Sequence, residues 1–396
     1  MLNGNIVNVC GDRMNIVLLT NILNPYRKAF YDELYRQCEE KGHQFHVLVM
    51  SPREYNREWK YDDYKGNYTV LLKCRAYRIK HLPVYHNPDL KKRLKELSPD
   101  MVVMAGGYML PSVWKACKYR KRLHYRTYFW SESHLDEKRE YSSCLLKIRE
   151  KIRENFYKKF DGFWYPGEKA LQLIQRYARA DVACYKIPNL IDNDKFLSGV
   201  EKGRLSETVI REKYHLSTDK KIFFAPMRLN WVKGLIPFLE IIKEANCKEK
   251  IQIVVAGNGE LEGEIRKKAE ELGIDLRLLG YCEEEKVIEL YRAADVFFMS
   301  SLSDPSPLSC VEAIWCGLPL FVSEHVGNYP EVVRQGENGY VYSYSDTKRA
   351  ARELDELVKK NAAWYRRASD ISRKIAAEQF EVGGTTERLL EEMLEG

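Results

Sequence analysis

Four charged side chains in the second half of the chain are spaced for work on a phosphorylated, hydroxylated molecule. Arg228 and Lys233 stand five positions apart, with Gly234 directly after them. One falls at a predicted strand end and the other at the entry to a helix, where two cations can face negative charge. Asp304 and Glu312 stand eight positions apart within SSLSDPSPLSCVEAIWCGLPLFVS, residues 300–323. That run predicts a strand end, a polar turn, a short helix and a further strand. Ser306 suits the N-cap and Pro307 the first helical position, where a missing N–H costs nothing. Gly317 is placed to end the helix, and Pro319 prevents its continuation. The amides of Leu308, Ser309 and Cys310 then point above the strand ends, where an anion can sit. Amides for phosphate and carboxylates for hydroxyls together suit a nucleotide sugar.

The motif DPSPLSCVEAIWCGLPL resembles the donor signature of the family 4 retaining glycosyltransferases, in which two glutamates eight residues apart lead into an EA-x-x-x-G-x-P run. Glu312 matches the second glutamate, and Asp304, one methylene shorter, stands at the first. The R-x-x-x-x-K-G run at Arg228 and Lys233 resembles that family's diphosphate clamp. The resemblance implies the glycosyltransferase-B fold and transfer from a nucleotide sugar to a glycan or polyprenyl-linked acceptor, with retention. It favours a UDP-sugar over a GDP-sugar, with neither a cofactor nor a metal. Glu312 would bind the ribose hydroxyls and Asp304 the donor sugar, while the departing phosphate oxygen deprotonates the acceptor. Gly234, Gly257, Asn258, Gly259, Ser306, Pro307, Leu308 and Ser309 would line the donor site, with the backbone at Tyr281 and Cys282 holding the base. The alternative is a non-catalytic sugar-nucleotide-binding protein of the same fold, which the aspartate at 304 permits.

The elements that must position these residues alternate as β and α. Apolar runs at 15–19, 43–50, 101–105 and 127–130 read as buried strands, each followed by a turn and a helix. Asn24 and Pro25 start the first helix, and Arg27 in its first turn can meet an anionic acceptor or sit in a salt bridge. Gly106 and Gly107 follow a strand end, where a substrate or a plain turn needs them. Glu132 and His134 also follow a strand end; they can serve the acceptor hydroxyl, or act as a helix cap and a surface imidazole. PNLID (188–192) resembles the family's segment before the inter-domain linker. The Asp192–Asp194 pattern formally matches a metal motif, but three residues are met cheaply by chance. Strand–turn–helix units resume at 221–226, 251–273 and 276–301, after a polar linker with one short helix at 211–216. The last 45 or so residues read as helical, and Trp364, Tyr365, Ile371, Ile375 and Phe380 can supply a contact back to the first domain.

The predicted fold is therefore α/β, with two doubly wound Rossmann-like domains facing a cleft and a C-terminal helix crossing back to the first. Residues 1–196 form the acceptor domain, 197–375 the donor domain, and 376–396 the crossing helix. The charge is uneven: residues 1–200 hold 36 Lys+Arg against 23 Asp+Glu, and the remainder 28 against 34. A basic helix at 142–160 carries Leu145, Ile148, Ile152 and Phe156 as one stripe, for core packing or for anionic lipid. No recognised nucleic-acid module accompanies the charge, so nucleic acid is not an expected partner. The ten cysteines form no C-x-x-C pair, and no apolar run approaches the ~20 residues that span a bilayer. These features predict a cytoplasmic protein, peripheral at the inner membrane face.

Overall fold

The computed structural model describes residues 13–53, 60–79, 82–135, 143–201 and 206–395. Residues 1–12, Ser142 and the side chain of Leu145 lie outside that description. The first half is built on β1 (Asn15–Thr20), β2 (Gln44–Val49) and β3 (Thr69–Leu71), with β4 (Arg75–Ile79) and β5 (Leu82–His86) as a separate antiparallel pair. β6 (Met101–Ala105), β7 (Arg126–Trp130), β8 (Gly162–Tyr165) and β9 (Ala183–Lys186) complete a seven-stranded parallel sheet in the order β3-β2-β1-β6-β7-β8-β9. The second half holds β10 (Lys221–Pro226), β11 (Ile251–Ala256), β12 (Leu276–Leu278), β13 (Val296–Met299), β14 (Leu320–Ser323) and β15 (Gly339–Tyr342). These form a six-stranded parallel sheet in the order β12-β11-β10-β13-β14-β15. Two doubly wound sheets result, as the alternation predicts.

The central strands are apolar on both faces because helices cover both sides of a parallel sheet. Every residue of β1, β6 and β11 is buried. In each sheet the strand order reverses once beside the first strand, between β1 and β6 and between β10 and β13. Chain leaving neighbouring strands in opposite directions opens a crevice there, at the carboxyl ends of the strands. Arg228, Lys233 and Asp304 follow strand ends of the second sheet, and Glu312 lies one turn into the helix Leu308–Trp315.

Local chemistry explains most boundaries. Asn24 Oδ1 accepts from the Arg27 amide at 3.0 Å, and Pro25 opens the helix Pro25–Glu40. The predicted linker carries more helix than expected: Asn193–Glu201 enters it, and Glu207–Lys213, capped by Ser206, starts before position 211. The helix Asn193–Glu201 runs across position 196, and the helix Ala362–Gln379 across position 375. The crossing back to the first half is made by the last helix, Val382–Glu395, which buries Leu389, Leu390 and Met393 and packs on Pro25–Glu40. Gln37 Nε2 donates to the Gly383 carbonyl at 2.9 Å across that contact. Trp364 and Tyr365 do not make it: their polar atoms bond the Gly336 and Leu357 carbonyls of the second half. Their helix packs instead on Leu308–Trp315. Among the described residues no helix is long and apolar enough to cross a membrane.

Candidate active site

The donor side is assembled from four strand exits. The loop after β10 lies directly on the loop after β11: the Leu229 amide donates to the Asn258 carbonyl, and the Leu261 amide to the Leu229 carbonyl. Gly257 makes this possible. Its φ is +147°, and a Cβ there would stand 1.9 Å from the Met227 carbonyl oxygen. The Gly257 amide also donates to the Gly280 carbonyl at 2.7 Å, which draws Tyr281 and Cys282 alongside. Tyr281 is 71% exposed and Cys282 part-buried. At Gly234, φ is +63° and a Cβ would meet the Ser300 carbonyl oxygen at 2.2 Å, so the loop after β10 locks onto the end of β13. Tyr344 seals the junction by donating to the Ser300 carbonyl at 2.5 Å.

Within this frame Lys233 Nζ pairs with Asp304 Oδ2 at 2.5 Å, and both side chains are mostly buried. Two residues 71 apart in sequence thus meet at the crevice. Arg228 is exposed and makes no ion pair within the described chain. Asp304 is itself held by its backbone, which bonds to His325 and Gly327.

The helix Leu308–Trp315 begins one residue later than the sequence suggests. Pro307, not Ser306, occupies the N-cap with extended backbone, and no side chain caps the helix. Ser306 is drawn aside instead, its carbonyl accepting from Asn189 Nδ2 at 3.4 Å. A proline side chain has no oxygen to offer the first turn, so the amides of Leu308 and Ser309 stay available to a ligand. The Cys310 amide is spent on the Pro307 carbonyl at 3.2 Å. The helix ends as expected: Gly317 has φ +75°, and the Leu318 amide reaches back to the Ala313 carbonyl. Glu312, one turn in, receives the Tyr291 hydroxyl on Oε2 at 2.7 Å. Burial pushes its pKa up to about 7; the phenol opposes the shift and Glu284 adds to it.

Facing these residues is the edge of the first sheet. A cleft of about 530 Å³ is lined by Arg27, Gly106, Gly107, Trp130 and Glu132 from the first half, and by Ser306 and Leu308 from the second. Arg27 Nη2 pairs with Glu132 Oε1 at 2.9 Å, and its guanidinium lies 4.0 Å from the Trp130 ring centroid. Burial opposes the charge on Arg27, but Glu132 and Tyr31 outweigh it and raise its pKa. Gly106, with φ +115°, lies beside Asn21 and Leu110. His134 is 2% exposed and does not line the cleft, so it is neither a surface imidazole nor a lining group. Asp192 precedes the helix Asn193–Glu201, in which the Asn193 amide bonds Asp194. The sequence reading missed Asn21, Asn189, Tyr291 and Tyr344; of these only Asn189 carried a signal, within PNLID.

Residues 206–375 match the family model described as glycosyl transferases group 1. Over 372 residues the chain is 27% identical to EpsD of Bacillus subtilis, named as a glycosyltransferase, covering 87% of each chain. The second half of the chain thus matches the group 1 glycosyltransferases, and the chain as a whole is similar to one of their named relatives. A second relative, the UDP-Gal:alpha-D-GlcNAc-diphosphoundecaprenol alpha-1,3-galactosyltransferase of Escherichia coli, is 29% identical over 164 residues, 40% of this chain and 41% of that one. The crystal structure of Anabaena Alr3699/HepE, in complex with UDP, shares its fold with a TM-score of 0.70 at 14% identity, covering 97% of this chain and 100% of that one. The glycosyltransferase-B architecture follows.

Proposed function

We propose that this protein transfers a hexose from a nucleotide sugar, UDP-linked, to a hydroxyl of a lipid-linked or glycan acceptor with retention of configuration. The observation that supports this most is the shared cleft, in which the capless helix tip at Leu308 opposes Arg27 and Glu132 across about 530 Å³. Lys233, Arg228 and the Leu308 and Ser309 amides would hold the diphosphate and stabilise its charge as it leaves. Glu312 would take the ribose hydroxyls, and Asp304, released from Lys233 by the diphosphate, the sugar hydroxyls. The Tyr281–Cys282 backbone would flank the base. With these cations in place, the departing phosphate oxygen is the base for the acceptor. UDP and UDP-galactose appear in the names of similar proteins, which favours the uridine donor.

On the acceptor side, Arg27 and Glu132 would orient the incoming group, with Gly106 and Gly107 allowing close approach. The division at 196 and 375 is proposed as the boundary of the acceptor, donor and crossing units. Peripheral contact with anionic lipid at the inner membrane face is supported by the basic helix Ser143–Tyr157. Phe156 packs into the core, while Ile148 stays 51% exposed among lysines and arginines. The deciding experiment supplies a panel of UDP-sugars with a polyprenyl-diphosphate glycan and follows UDP release and the anomeric configuration of the product. Retained configuration is expected. Donor binding without transfer would favour the non-catalytic alternative, and an inverted product would overturn the mechanism.

A further inference from the structure

We propose that Tyr291 is a positioning residue for the donor: its hydroxyl fixes one oxygen of Glu312 so that the other is presented to the ribose. The inference rests on the reading of Glu312 as the ribose-binding carboxylate.

Tyr291 lies on the helix Glu284–Ala293, with no exposed surface. Its ring is walled in by Phe224, edge-on at 5.1 Å between centroids, and by Phe196 and Phe297 at 6.3 and 6.2 Å. A phenol so enclosed has one place for its oxygen. From there it meets Glu312 Oε2 at 2.7 Å and the Ser309 carbonyl at 3.2 Å. Both partners belong to the first turns of Leu308–Trp315, so one hydroxyl registers the carboxylate and the helix tip together. Glu312 Oε1 has no partner within the described chain. Because a phenol carries a single proton, it serves the ionised carboxylate; on protonation of Glu312 that proton can turn to Ser309 while the phenol oxygen accepts from the acid. The bond therefore favours the charged, ligand-binding form of a half-buried carboxyl that desolvation would otherwise push towards neutrality.

Tyr291→Phe keeps the ring and removes only the hydroxyl. Lacking its donor, Glu312 should ionise at higher pH and lose its fixed orientation. The test measures binding of UDP or GDP, whichever the wild type binds better, against its 2′,3′-dideoxy analogue by calorimetry at pH 7 and pH 9. Wild type is expected to prefer the ribose form at least tenfold at both values. Tyr291→Phe should show threefold or less at pH 7 and regain most of the preference at pH 9, a recovery that a packing defect would not produce. Glu312→Gln should show little preference at either pH. Full discrimination by Tyr291→Phe at pH 7, alongside its loss in Glu312→Gln, would overturn the inference and leave the reading of Glu312 standing. Undiminished discrimination in Glu312→Gln would overturn that reading itself.

Discussion

The Lys233–Asp304 pair is the residue-scale feature with the clearest mechanistic consequence. A lysine held in place by a carboxylate can exchange it for a diphosphate of greater charge. Replacing Lys233 by Ala is expected to lower kcat by about 10²–10³, as is replacing Arg228, the scale for losing one preorganised charge partner. Steady-state turnover close to wild type in both variants would remove the clamp. Glu312 gives a pH prediction. Its folded pKa, about 7, stands above the ordinary glutamate value of 4.5, so the native state binds its proton more tightly than the unfolded chain. Its contribution to stability is thus greatest below pH 4.5 and declines as pH rises towards 7, by about 3 kcal/mol across the window. Melting temperatures of wild type and Glu312→Gln, recorded from pH 4.5 to 8, should diverge in that sense; parallel curves would refute the shift.

At the scale of elements, the donor site is a set of loops welded to one another by backbone rather than by side chains. The loops after β10 and β11 approach so closely that Gly257 has no room for a Cβ. Gly257→Ala should destabilise the protein by about 1–3 kcal/mol, through both its left-handed φ and the clash with Met227. It should also weaken nucleotide binding, because the exit loop carrying Arg228 must lift. Denaturant unfolding checks the first effect and calorimetry the second; an unchanged midpoint would mean that the loops are not in register as described. These elements were legible because a parallel strand buried on both faces writes an unbroken apolar run, as in IQIVVA or MVVMA. The β4–β5 hairpin was not, since a two-stranded pair outside the main sheets leaves neither a long run nor a strong turn signal. Ser306 misled for a tertiary reason: its carbonyl accepts from Asn189, 117 positions away, and Pro307 takes the cap position instead.

For the whole molecule, the last helix is the strap that joins the two halves at a distance from the cleft. It packs on Pro25–Glu40, whose first turn presents Arg27 to the acceptor side. Glu331 adds a second tie by accepting the Glu168 amide at 2.8 Å across the halves. Deleting residues 381–396 should expose the apolar side of Pro25–Glu40 and loosen that helix. Hydrogen exchange in 30–40 should accelerate at least tenfold, while β10 and β11 stay protected. Equal protection in both halves would show that the strap carries little stability. The sequence by itself determined what depends on near neighbours: two βα-alternating halves, the Arg228–Lys233 and Asp304–Glu312 spacings, and the family they resemble. Periodicity and local motifs survive in a linear text because the forces behind them act within a turn or a strand. Only the tertiary structure decided that Arg27 meets Glu132, that Lys233 meets Asp304, that His134 is buried and that Tyr291 holds Glu312. Each of those is a contact between residues brought together by packing of whole layers, and burial, the quantity that sets their charge and reach, has no value until the layers close.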